Sequence, residues 1–178
     1  FMNDEFWTAS ARSWHLQDER LVYNRARFNL GFDDEYLYLS ADVDDPNVVG
    51  RHSGRKAPVW DGDGVKLLLH FGPAAADSWT AETFSFAFGA FGGVNWARGP
   101  AQIAADQFID PGWPAGWDSN VQWAARLKAG TTPNLSGDRD TGYIIEARIP
   151  WSELPERPPF PLGHMIGICL LNICRPEM

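Results

Sequence analysis

Short runs in which apolar and polar residues alternate, each stopped by Gly, Pro or Asp, constrain this chain more than any other feature. In Tyr36 to Val43, YLYLSADV, Leu37, Leu39, Ala41 and Val43 point one way. Tyr36, Tyr38, Ser40 and Asp42 point the other, and Asp44-Asp45-Pro46-Asn47 ends the run. Trp60 to Phe71, WDGDGVKLLLHF, joins a turn-forming Asp-Gly-Asp-Gly to a strand. Val65, Leu67, Leu69 and Phe71 share one face of it, and Lys66, Leu68 and His70 share the other. In Gly142 to Ile149, Tyr143, Ile145, Ala147 and Ile149 align against Ile144, Glu146 and Arg148, and Pro150 ends the run. Thr83 to Phe88, Val121 to Leu127 and Ile166 to Ile173 read the same way. About eight to ten short strands with almost no helix predict an all-β chain, a two-sheet antiparallel β-sandwich, jelly-roll-like, with long loops.

The less regular stretches carry their own expectations. Phe1 to Gln17 reads as an N-terminal strap, and Arg20 to Phe32 as two short strands broken at Asn24-Arg25. Val94 to Ser119, with three tryptophans and three prolines, reads as a long loop over the core. Trp151 to Leu154 reads as a single helical turn. No repeat, linker or second domain interrupts the pattern, so residues 1–178 are expected to form one domain.

Charge narrows the partners. Lys and Arg total 15 against 23 Asp and Glu, a formal charge of −8. Such a chain does not neutralise a phosphate backbone, which argues against nucleic acid. No apolar run approaches the ~18 residues of a membrane span. Phe1 to Arg12 is polar and mixed and does not read as a signal peptide. The expectation is a cytoplasmic protein, or a mature or excised piece of a secreted one.

The chain holds nine Trp. Most are expected in the core, but apolar ring faces also stack on the C–H faces of pyranoses. Cys169 and Cys174, were they in one strand, would stand roughly 16 Å apart, so two buried or half-buried free thiols are expected. Asp42, Asp44, Asp45 and Asn47 form an oxygen-rich group that suits calcium, and turn chemistry explains the same residues. The histidines show no zinc spacing, and no nucleophile elbow, phosphate loop or triad is present.

Three segments in order carry a resemblance: YLYLSADVDD, WDGDGVKLLLHF and GYIIEARIPWSEL, closed by LGHMIGICLLN. Together they resemble the family 9 carbohydrate-binding modules and the wider sugar-binding β-sandwich superfamily around them, from about Phe6 to Asn172. The resemblance implies a non-catalytic module that binds a mono-, oligo- or polysaccharide. It also implies a secreted glycan-degrading parent with a catalytic domain in the same protein, an extracellular or periplasmic place, and calcium as an optional ion. Haem-binding electron-transfer domains share the fold, and His70, His164 and Met165 are the residues such a reading would use. A structural or interaction sandwich without a small ligand is the third reading.

In the family a pair of tryptophans sandwiches the sugar ring. The resemblance places Trp60 as one of them, with Trp96, Trp113 or Trp117 standing in for the second. Where the family carries Glu after the strand's Val, this chain has Lys66, which turns an acceptor into a donor. Lys66, Arg98, Arg148 and Asn172 are the expected polar contacts. If their strands are neighbours, Lys66, His70, Glu146 and Arg148 form one patch. That patch is either a set of cross-strand salt pairs, Lys66 with Glu146 for example, or a sugar or uronate site.

Overall fold

Alternation along each run becomes two packed sheets. The computed structural model describes residues 25–72, 82–99, 117–135, 137–162 and 164–174, together with the backbone of Ser10–Ala11. Its strands are β1 (Ser10–Ala11), β2 (Arg25–Phe32), β3 (Tyr36–Asp44), β4 (Gly54–Arg55) and β5 (Gly64–His70). They continue with β6 (Thr83–Gly89), β7 (Gly93–Arg98), β8 (Gln122–Leu127), β9 (Tyr143–Pro150) and β10 (Gly167–Ile173). The first sheet runs β1-β2-β3-β9-β8 and the second β10-β5-β6-β7-β4. Every pairing is antiparallel except the short parallel contact of β4 with β7. The expected all-β sandwich is the observed fold.

The core lies where the two inner faces meet. Leu37, Leu39, Ala41 and Val43 of β3 and Tyr143, Ile145, Ala147 and Ile149 of β9 face Val65, Leu67, Leu69 and Phe84, Phe86, Phe88 of β5 and β6. All are buried, and full burial of such side chains stabilises by about 1.5–3 kcal/mol each. Trp151, 3% exposed, closes one end. Its indole N–H donates to the Asp33 carbonyl at 2.9 Å. The turn that carries it, Trp151–Glu153, is the helical turn expected from sequence.

Two expectations are corrected. Val94 to Ser119 is not all loop, because its first residues form β7 beside β6. The outward residues of β7, Asn95 and Ala97, are buried too, so Asn95 alone gave a polar contrast to mark it as a strand. Both cysteines are free, as expected, but exposed rather than buried. The second of the two strands expected in Arg20 to Phe32 is β2, while Leu21, Tyr23 and the N-terminal strap apart from Ser10–Ala11 lie outside the described residues.

Candidate functional site

Strand parity decides which side chains can act together. Residues paired across antiparallel strands point to the same face. Lys66 pairs with Ala87 on one side and Leu171 on the other, so it emerges on the outer face of the second sheet. Ala57 and Val59 pack on that face against Ala87, with Ile173 beside them. Two hydrogen bonds fix the covering loop: Asn95 Nδ2 donates to the Ala57 carbonyl at 3.1 Å, and Ala57 N–H to the Val94 carbonyl at 3.0 Å. A side chain at Gly93 would strike the His52 carbonyl, which is why the loop approaches so closely there.

Val59 opens a 3₁₀ turn, Val59–Asp61, that carries Trp60. Trp60 is 43% exposed, whereas Trp96 and Trp151 are 1% and 3% exposed. His52 Nε2 lies 3.4 Å from Asp61 Oδ2. A small cleft lined by Arg51, His52, Pro58, Gly62, Gly89 and Phe91 opens beside the turn. Arg51 and His52 lie in a basic, polar loop, Val48 to Val59, that no sequence motif marks as functional. Their position one loop before Trp60 was the available signal.

The other nominated residues stand elsewhere. Trp96 pairs with Phe86 and is buried on the inner face, with the Arg55 guanidinium 4.5 Å and the Lys56 ammonium 3.9 Å from its ring centroid. It offers no open ring. Trp117 packs edge-on against Phe84 and Phe86 in the core, and Trp113 lies outside the described residues. Arg98 pairs with Phe84, so it has inner-face parity at an exposed sheet end. Asn172 pairs with the inward Val65 and turns its amide toward Tyr143, away from Lys66.

Arg148 belongs to the first sheet. It donates to Gln122 Oε1 at 2.9 Å and lies 4.8 Å over the Tyr36 ring. Lys66 and Glu146 therefore sit on different sheets, and the proposed charged patch with its Lys66–Glu146 pair does not form. Of the six nominated residues, Trp60 and Lys66 alone are placed about the same face. His70 Nδ1 lies 3.1 Å from Thr83 Oγ1, His164 stacks on Phe160, and Met165 is largely exposed.

The calcium group also divides. Asp42 and Asp44 both hold Lys128, and Arg27 reaches Asp42 at 3.2 Å. Asp45 turns inward, and its Oδ1 accepts the Asn47 N–H at 3.0 Å, which is the turn chemistry expected of it. Cations hold the outer pair, Asp42 and Asp44, while Asp45 is buried, so the group does not face one point. Asp45 instead meets Asp63 and Cys174 at the end of the sandwich. That donor set includes sulfur, which also does not suit a hard cation.

Among the described residues, an open Trp60 and the Lys66 ammonium about one sheet face have the makings of a ligand-binding β-sandwich module. The comparisons agree. The model of the family described as "Carbohydrate family 9 binding domain-like" matches residues 4–172, and the chain belongs to that family. Membership supports sugar binding.

Two solved structures share the fold. One is a family 9 carbohydrate-binding module from Caldicellulosiruptor kristjanssonii in complex with cellotriose, at 20% identity and a TM-score of 0.51. It covers 83% of this chain and 56% of its own. The other is a family 9 module from the same organism in complex with glucose, at 20% identity and a TM-score of 0.57. It covers 95% of this chain and 69% of its own. No curated protein matches the chain.

Proposed function

We propose that the chain binds saccharide at the outer face of the second sheet, with Trp60 as the stacking ring and Lys66 as a hydroxyl donor. The exposure of Trp60 carries this reading. An indole ring 43% open keeps apolar area in water that a pyranose face can cover. Family membership and the relatives solved with glucose and cellotriose make β-linked gluco-oligosaccharides the first ligands to try. An ammonium in place of a carboxylate favours sugars that present acceptors, uronates included. With one ring stacked, affinity is modest. Native affinity electrophoresis over neutral and acidic glycans is the test. Retardation that Trp60→Ala abolishes supports the reading, and no retardation by any glycan sinks it.

The parent protein is proposed to be secreted and to carry a glycan-degrading domain, a reading supported by the family alone. Recovery of the intact parent from a cytoplasmic fraction would count against it.

A further inference from the structure

On the outer face of the first sheet, register sets side chains beside one another in rows. The middle row is Asn29, Ser40, Glu146 and Ala124, one residue each from β2, β3, β9 and β8. On one side of it run Gly31, Tyr38, Arg148 and Gln122, and on the other Arg27, Asp42, Ile144 and Arg126. Rows on one face follow one another at about 6.6 Å along a strand, so the two flanking rows stand about 13 Å apart. Strands stand about 4.8 Å apart, so the middle row is about 14 Å long. Ser40 and Ala124 are short, and Ser40 is 9% exposed, so this row is the floor of a trough between longer side chains. The walls are braced. Arg148 Nε donates to Gln122 Oε1 at 2.9 Å, and its guanidinium lies over the Tyr36 ring. The Tyr38 hydroxyl donates to Asp33 Oδ2 at 2.7 Å, and Arg27 and Lys128 both hold Asp42. On the floor, no hydrogen bond or ion pair among the described residues engages the Asn29, Ser40 or Glu146 side chain.

We infer that this trough is a second saccharide site, one that takes a neutral glycan chain lying across the four strands. The inference rests on the family's sugar binding and is independent of Trp60. Three features carry it. First, the floor matches the chemistry of sugar hydroxyls, which both donate and accept. The Glu146 carboxylate accepts, while the Ser40 hydroxyl and the Asn29 amide do both. The Gln122 amide accepts from Arg148, which leaves its N–H groups to a ligand. Second, charge selects the ligand. Arg148 is committed to Gln122 and Tyr36, and Arg27 and Lys128 to Asp42. The one charge on the floor is the Glu146 carboxylate, which opposes a uronate and accepts from neutral hydroxyls. That is the reverse of the Lys66 ammonium on the other sheet. Third, the braced walls are already in place, so a chain settling between them orders few side chains. No aromatic ring lies on the floor, so binding rests on hydrogen bonds and is weaker than at a stacked ring, in the millimolar range. A site so weak does not retard the protein in a gel, so it leaves the electrophoretic test of Trp60 unaffected.

The ¹⁵N-labelled chain is titrated with a β-1,4-linked glucose hexasaccharide and, separately, with a galacturonate hexasaccharide, while NMR follows the side-chain N–H signals. The Asn29 Nδ2, Gln122 Nε2 and Arg148 Nε signals should shift and saturate at millimolar glucose hexasaccharide. The galacturonate should bind there at least fivefold more weakly. Trp60→Ala should leave these shifts in place. Glu146→Gln, which keeps the shape of the side chain and so the fold, should weaken the binding they report at least fivefold. Ala124→Trp, which fills the floor and removes no polar group, should abolish them. The Trp60 Nε1 signal reports the other site. If it shifts while Asn29, Gln122 and Arg148 do not, the inference is overturned and the Trp60 reading stands. If they shift while Trp60 does not, the Trp60 reading alone is lost. Trough shifts that Trp60→Ala removes overturn the inference. So do shifts that survive both Glu146→Gln and Ala124→Trp, or galacturonate binding as tight as that of the neutral chain.

Discussion

Trp60 and Trp96 are chemically the same side chain in opposite employment. Trp60 rides on a 3₁₀ turn that lies over a sheet, and the turn leaves much of its ring in water. Trp96 sits mid-strand at an inward position of β7, its ring faced by Arg55 and Lys56. The difference is one of backbone setting. A residue in a strand inherits its face from register, and the inward face of a sandwich is sealed. A residue on a short turn lying over the sheet can keep its ring open. Surplus tryptophan is therefore a weak pointer to a sugar site until the strands are known.

Truncating the two rings is the sharpest way to break the comparison. Trp96→Ala removes a fully buried indole and should cost about 3–5 kcal/mol in urea denaturation. Trp60→Ala should stay within about 1 kcal/mol of wild type. Equal losses would mean that Trp60 also serves chiefly as a core cap.

The cations at Trp96 come next. Arg55 lies over the ring and also donates to Asp118 Oδ1 at 2.9 Å and to the Ser119 carbonyl at 2.6 Å. Arg55→Ala should cost about 1–2 kcal/mol, discounted because the side chain is 43% exposed. Arg55→Lys should recover only part of that, since an ammonium cannot reproduce the planar fork. Full recovery by Lys would show that charge over the ring matters and the bonds to residues 118–119 do not.

For Trp60 the larger consequence is in binding. Losing one stacked ring should weaken a glycan ligand roughly tenfold, the equivalent of about 1.4 kcal/mol. Trp96→Phe, which keeps a ring in the core, should leave that affinity unchanged. Loss of binding in both variants would move the site toward the β7 edge.

Much of the fold was legible because the inner faces alternate cleanly. Leu37 to Val43, Val65 to Leu69, Phe84 to Phe88 and Tyr143 to Ile149 all point inward as their sequence pattern says. What was hidden is tertiary. β7 is buried on both faces, so VNWA offers a single polar residue, Asn95, as period-two contrast. Local pattern also does not say which strands are neighbours. Hence Lys66 and Glu146 were paired on paper though they lie on different sheets. Asn172 was expected as a ligand contact, but its register with Val65 turns it to Tyr143. Trp60 was legible because a turn signal follows it, while Trp96 sat in a strand that the sequence did not reveal.

The smallest effect separates the outer faces of the two sheets. On the first sheet Lys128 bridges Asp42 and Asp44, the latter at 2.6 Å. That hydrogen bond holds the Asp44 carboxyl below its ordinary value of 3.8, and burial opposes it only in part. For Lys128, burial pulls the ammonium down, but the bonds to Asp42 and Asp44 outweigh it and raise its pKa. The signs follow from linkage. Asp44 contributes stability that is complete above its unfolded value and lost as pH falls through the lower folded one. Lys128 contributes stability that is complete below its unfolded value near 10.5 and lost as pH rises through the higher folded one. Because the Asp44 side chain is 54% exposed, solvent screens the pair, and the acid loss should stay under about 1 kcal/mol. Lys128→Met should flatten the stability curve below about pH 4, where Asp44 titrates, and Trp60→Ala should leave that limb unchanged. A Lys128→Met curve that still falls as steeply in acid would place the acid sensitivity elsewhere, with the buried Asp45 and Asp63 as the next groups to substitute.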